Sequence, residues 1–310
     1  MKRRTTLLAA ALSAAALTLG ACADDASNKP AANATPDSAA FPVTVGDVTL
    51  DKRPERIISL APVMTEILFA VGAGEQVVAV DDQSNYPPEA PKSDLSGYTP
   101  NAEAIAAYTP DLVLLTYDPN NIVQQLTELK IPVYLADAPK NLDDTYRQIS
   151  DVGKLTGHAD EADDLVQQMK DDIAKLLADL PERTEKLTYY HEVDPNYYTV
   201  TSKTFLGSLY AMVGLENIAD PADADGSAGG YPQLSQEAII KADPDFIFLA
   251  DTKCCQQSPE TVKARPGWNT LSAVKNNRVV VLDDDIASRW GPRVVDLLRV
   301  IVGEVSKVPA

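Results

Sequence analysis

The chain has 310 residues, an apolar fraction of 45% and a formal net charge of −18, from 27 basic and 45 acidic side chains. That length gives a prior of about two domains, with enough apolar material to bury a real core. The acidic balance excludes a phosphate-backbone binder and a protein held on anionic lipid by basic patches. Two histidines speak against a multi-histidine metal site, and three cysteines cannot build a dense disulfide scaffold.

Met1-Lys2-Arg3-Arg4 is a short positive start, followed by an apolar stretch from Leu7 to Leu19 broken by Ser13 and Thr18. At about 13 residues the stretch is too short to span a bilayer and right for a secretory signal. Leu19-Gly20-Ala21-Cys22 reads as a bacterial lipobox, which would make Cys22 a lipid-carrying N-terminus. From Ala23 to Ala40 no large apolar side chain occurs, so a flexible tether is expected. The expected location is extracytoplasmic, on the outer face of the bacterial cell membrane or in the periplasm.

Short apolar runs then alternate with helical stretches, the pattern of βα units around mostly parallel sheets. Buried strands are predicted at Arg56–Leu60, Val77–Val80, Leu112–Leu115, Val133–Leu135, Leu187–Tyr190, Phe246–Leu249 and Val279–Leu282. An internal repeat relates the two halves. Glu103-Ala104-Ile105 followed by Pro110-Asp111 matches Glu237-Ala238-Ile239 followed by Pro244-Asp245, 134 positions apart, and Asn101 and Ser235 stand at the cap positions. Between the halves, Leu165, Val166, Met169, Ile173, Leu176, Leu177 and Leu180 recur at helical spacing before Pro181. A helix over Ala159–Leu180 would be about 33 Å long and would join the lobes stiffly, permitting only small opening motions.

The expected fold class is therefore α/β, two similar lobes joined by one long helix, with a ligand cleft between them. The expected boundaries are 1–21 for the signal peptide, 22–41 for the tether, 42–157 for the N-terminal lobe, 158–181 for the linking helix and 182–310 for the C-terminal lobe.

Arg56-Ile57-Ile58-Ser59-Leu60-Ala61-Pro62, the Thr65 to Gly74 stretch, Tyr231-Pro232-Gln233-Leu234-Ser235 and Arg289-Trp290-Gly291-Pro292-Arg293 carry a wider likeness. Over nearly all of residues 42–303 the chain resembles the Fe/B12-type periplasmic-binding proteins, the substrate-binding components of ABC importers for cobalamin, iron-siderophores and haem. The resemblance implies a class III fold of two lobes and one long helix, with a cobalt- or iron-containing chelate as ligand. It also implies importer transmembrane subunits as partners, docked through Glu103 and Glu237, one per lobe. It sets Tyr231 where cobalamin-binding members have an aromatic, Gly97 beside Tyr98 at a second such position, and Gln83 in place of a first-loop tyrosine.

Ligands of open α/β sheets sit beyond the carboxyl ends of strands. The segments there offer Gln83, Tyr98, Tyr117, Tyr198, Tyr231, Arg289 and Trp290 as ligand-binding candidates. Tyrosine gives a flat apolar face and a polar tip. Arg289 could grip an acidic ligand group or neutralise Asp283, Asp284 or Asp285, while Arg293 is expected to cap or pair structurally. His191 is open to two roles, polar lining or metal ligation. Cys254-Cys255 could be two free thiols or a vicinal bridge, since adjacent Cα atoms lie closer than the usual disulfide window of about 4.4–6.8 Å.

No Gly-x-Ser-x-Gly elbow, Cys-x-x-Cys or phosphate-cradling glycine loop occurs, which speaks against the alternative of a secreted hydrolase or thiol oxidoreductase. A zinc or manganese receptor would need more histidines. The sequence thus predicts a monomeric binding lipoprotein with no enzymatic activity, no resident cofactor or metal, and no nucleic-acid partner.

Overall fold

A computed structural model describes residues 41–178 and 180–309. The expected signal peptide, the tether up to residue 40 and Cys22 lie outside the described residues. A small antiparallel hairpin, β1 (Val43–Val45) and β2 (Val48–Leu50), opens the described chain. Two four-stranded parallel sheets follow. The first holds β3 (Ile57–Ser59), β4 (Val77–Val80), β5 (Leu112–Leu115) and β6 (Val133–Leu135), in spatial order β4-β3-β5-β6. The second holds β7 (Thr188–Glu192), β8 (Glu216–Asn217), β9 (Phe246–Leu249) and β10 (Val279–Val281), in order β8-β7-β9-β10. Within each sheet the strands therefore run second, first, third, fourth. The shared order is the topological form of the sequence repeat.

Both central strands of the repeat, Leu112–Leu115 and Phe246–Leu249, are buried at every residue. Helices cover both faces of a parallel sheet, so its strands read as unbroken apolar runs, which is what made them legible. The first lobe carries α1 (Pro62–Ala70), α2 (Ala102–Ala106), α3 (Ile122–Glu128) and α4 (Leu142–Thr156). Next comes α5 (Ala159–Ala178), which occupies most of the helix expected between the lobes. The second lobe carries α6 (Phe205–Met212), α7 (Gln236–Ala242), α8 (Thr252–Cys255), α9 (Pro259–Ala264), α10 (Ser272–Lys275), α11 (Asp284–Ala287) and α12 (Val294–Val305).

The repeated residues do the same work twice. Asn101 Oδ1 accepts from the Ala104 amide at 2.9 Å and Ser235 Oγ from the Ala238 amide at 3.1 Å, starting α2 and α7. Asp111 Oδ2 accepts from the Glu55 and Arg56 amides at 3.0 and 3.1 Å, just before β3. Asp245 Oδ2 accepts from the Thr188 amide at 2.9 Å, the first residue of β7. Each Pro-Asp turn thus clamps the entry of its lobe's first long strand. Ile105 and Ile239, also 134 positions apart, are buried on the outer face of their respective sheets.

The inner faces share one core. Ile57 and Leu114 of the first sheet, Phe248 of the second, Ile173 of α5 and Ile301 of α12 belong to a continuous buried cluster. α5 supplies Ala162, Val166, Met169 and Ile173 to it and packs against both α4 and α12. Apolar contact running unbroken from lobe to lobe resists a wide hinge motion, because opening would expose it.

Candidate functional site

The carboxyl ends of the strands of both sheets converge on a cleft with two halves. The first half, a cavity of about 330 Å³, is walled by Leu60 to Val63 after β3, Asp81 and Gln83 after β4, and Thr116 and Tyr117 after β5, together with Gly97 and Tyr98. The second, of about 380 Å³, is walled by His191 and Val193 around the end of β7, Ala250 and Cys254 after β9, and by Val200, Phe205, Leu206 and Tyr231. Asp285, Ser288, Arg289 and Trp290 line both halves and form the ridge between them. Each half alone falls in the range of small-molecule sites.

Their chemistry differs. The first half mixes polar and apolar surface in about equal parts, with the buried Asp81 at its floor. Burial pushes the Asp81 carboxyl above its usual range, against the hydrogen bond from Ser84 Oγ at 2.5 Å. Gly97 closes that floor because nothing larger fits: a Cβ there would lie 2.4 Å from the Leu60 carbonyl oxygen. Tyr98 and Tyr117 stand together at the rim, ring centroids 6.3 Å apart, and both are exposed. The second half is largely aliphatic and aromatic. Gly230 adopts a φ of +93°, and a Cβ on it would meet Thr204 Cγ2 at 2.6 Å. Asp223, itself buried, accepts from the Gly230 amide at 2.8 Å and so sets the exit angle of Tyr231. Tyr231 is half exposed, and burial of the rest raises its phenol, which stays protonated at neutral pH.

Residues 57–286 match the family described as Periplasmic binding protein. The chain belongs to that family. A Bacillus subtilis protein, the uncharacterized ABC transporter substrate-binding lipoprotein YvrC, is 33% identical over 96% of this chain and 95% of its own. A cobalamin-binding protein of Halobacterium salinarum is 31% identical over 86% of this chain and 75% of its own. The apo structure of the periplasmic heme-binding protein RhuT from Roseiflexus superposes with a TM-score of 0.69 at 25% identity, covering 82% of this chain and 99% of that one. The expectation of a two-lobed α/β binding protein rather than an enzyme stands with this membership.

Six of the seven ligand-binding candidates line the binding protein's cleft: Gln83, Tyr98 and Tyr117 in the first half, Tyr231 in the second, Arg289 and Trp290 in both. Tyr198 lines neither half. It lies beside Gln233 in an isolated antiparallel bridge, its carbonyl accepting from the Val193 amide at 2.9 Å. Glu103 and Glu237 are exposed in the first turns of α2 and α7, and neither lines the cleft. His191 is fully buried, and its Nδ1 shares a hydrogen bond with Tyr210 Oη at 2.9 Å. Burial lowers its pKa to about 4, so the ring is neutral at physiological pH.

Arg289 does something the sequence did not suggest. Its Nη1 donates to Glu66 Oε1 of α1 at 2.8 Å and to Asn85 Oδ1 at 2.9 Å, both in the opposite lobe, while Nη2 donates to Asp285 Oδ1 at 3.1 Å. Arg293 joins it on Glu66, Nε to Oε2 at 2.9 Å and Nη2 to Oε1 at 2.5 Å, and its guanidinium lies 4.2 Å from the Tyr86 ring centre. Trp290 Nε1 donates to Gln148 Oε1 of α4 at 2.9 Å. The Arg289–Arg293 segment is thus a clasp holding the second lobe to the first. Glu66, the one charged residue of a mostly apolar helix and buried in it, was the one available signal of it: a charge seldom enters a core unless paired.

Proposed function

We propose that this chain is the extracytoplasmic receptor of an ABC importer, capturing a cobalt- or iron-centred chelate in the cleft and handing it unchanged to the transmembrane subunits. The observation that carries the reading is the pairing of a largely apolar half-cavity with one of mixed polar and apolar lining across a shared ridge. A flat macrocycle with an apolar face and a polar rim would satisfy both walls at once. Tyrosines contribute from each side at low entropic cost. Relatives that bind cobalamin and haem, at 31% and 25% identity, support this ligand class.

In the same reading Cys22 carries the lipid that anchors a monomer to the outer face of the membrane, and Glu103 and Glu237 meet basic side chains of the importer. Their equivalence by the repeat supports a pseudo-symmetric dock on two matching subunits. The test is titration of the purified protein with cyanocobalamin, haemin and a ferric hydroxamate, followed by native mass spectrometry and absorbance. One-to-one binding of a member of the panel, with the ligand recovered intact, is expected. Failure of every member to bind, or release of an altered product, would overturn the proposal. For the dock, Glu103→Lys with Glu237→Lys should abolish uptake and leave affinity unchanged; a fall in affinity would reassign those acids to the fold.

A further inference from the structure

The last residues of α8 are bridged to each other: Cys254 and Cys255 form a vicinal disulfide. Such a bridge closes no loop worth the name, so the chain-entropy stabilisation of an ordinary disulfide is nearly absent. Its effect has to be local, on the turn that carries it. Cys254 is exposed and lines the aliphatic half of the cleft with Val193, Tyr231 and Trp290.

The turn is also wired to the clasp. The Asp284 carboxylate accepts from the amides of Thr252, Lys253 and Cys254 at 3.0, 2.8 and 3.1 Å. Lys253 Nζ reaches Asp283 and Asp285 at 2.8 Å each. Asp285 in turn meets Arg289, which meets Glu66 of the other lobe. A continuous run of polar contacts therefore joins the disulfide turn to the contact that holds the lobes together.

We propose that the Cys254–Cys255 bridge is a ligand-facing plate that a dithiol reductant can open, and that opening it weakens the grip on the ligand. The inference rests on the receptor reading above for its ligand and on α8 for everything else. Closed, the bridge fixes two side chains and their shared peptide and presents a compact apolar surface to the cleft. In the opening step a thiolate of the reductant attacks Cys254 Sγ, the S–S bond breaks, and Cys255 Sγ leaves as a thiolate and takes a proton. The reductant's second thiol then displaces Cys254 Sγ, so the protein gains two thiols and the reductant one disulfide. Freed, Cys254 can leave the wall, and the turn that Asp284 and Lys253 tie to the clasp loosens.

The experiment compares the oxidised chain, the dithiol-reduced chain desalted without oxygen, and a Cys254→Ser/Cys255→Ser variant, using cyanocobalamin and haemin as probes. N-ethylmaleimide labelling of the tryptic peptide 254–263 should add nothing to the oxidised chain and two groups to the reduced one. Affinity for the bound probe should fall about tenfold on reduction. The serine variant should bind like the reduced chain and ignore the reductant, which separates the bridge from any chemistry of thiols on the probe. Labelling of the oxidised chain, or affinities equal within a factor of about two, would sink the proposal. If neither probe binds, amide hydrogen exchange alone decides: it must accelerate in residues 252–258 and 284–290 on reduction, and unchanged exchange overturns the plate.

Discussion

Replacing Asp251 by asparagine isolates a buried proton. Asp251 stands two residues past β9 and is completely buried, as is Glu192 at the end of β7. Arg265 is the cation that meets them, and it is spent on Glu192, Nη1 to Oε2 at 2.6 Å and Nη2 to Oε1 at 2.5 Å. One guanidinium neutralises one carboxylate. Burial first, and then the Glu192 charge, therefore push the Asp251 carboxyl up to about 7. Below that pH it stays protonated. The folded value lies above the unfolded one near 3.9, so the contribution of Asp251 to stability is complete below about pH 4 and is lost as pH rises through 7. About three pH units at about 1.4 kcal/mol each set the ceiling, and partial relaxation of the site leaves roughly 2–4 kcal/mol. Asparagine keeps the shape of the protonated acid and cannot ionise. Urea denaturation of wild type and Asp251→Asn at half-unit steps from pH 4 to 8 should show near-equal stabilities at pH 4, with the variant ahead by that amount at pH 8. Parallel curves would refute the reasoning, because they would mean Asp251 ionises as freely in the fold as out of it.

Glu66→Gln leaves Arg289 and Arg293 half-buried without their shared carboxylate and should cost about 3 kcal/mol or more, read as a lower urea midpoint at unchanged slope. Tyr231→Ala should weaken ligand binding by about 1 kcal/mol or more by isothermal titration, with stability little changed; unaltered affinity would remove Tyr231 from the site. Gly97→Ala drives a methyl against the Leu60 carbonyl and should cost about 1–3 kcal/mol while displacing Tyr98, so affinity and thermal midpoint should fall together.

What could be read from the sequence, and what could not, divides along a physical line. Strands such as Leu112–Leu115 and Phe246–Leu249 were legible because burial on two faces writes itself into consecutive residues, and α5 because one buried face writes itself at helical spacing. Two short edges went unread. β8 spans only Glu216–Asn217, and the β1–β2 hairpin turns through Gly46 with three residues a side. The cleft was half legible, since loops after strand ends are local in sequence, and Gln83, Tyr98, Tyr117 and Tyr231 all line it. Tyr198 shared that location in the chain but was turned away by its pairing with Gln233, a contact no local pattern announces.

Arg289 shows the deeper limit. Its neighbours in sequence offer acids enough to occupy it, and one of them, Asp285, does bind it. Yet its most buried partner stands 223 positions away, on a helix that carries no other charge. A guanidinium already satisfied by Glu66, Asn85 and Asp285 has few donors left for a ligand carboxylate. The same residue that looked like the ligand's anchor is better placed to hold the two walls at a fixed spacing, and specificity then falls to the aromatic and apolar surfaces those walls present.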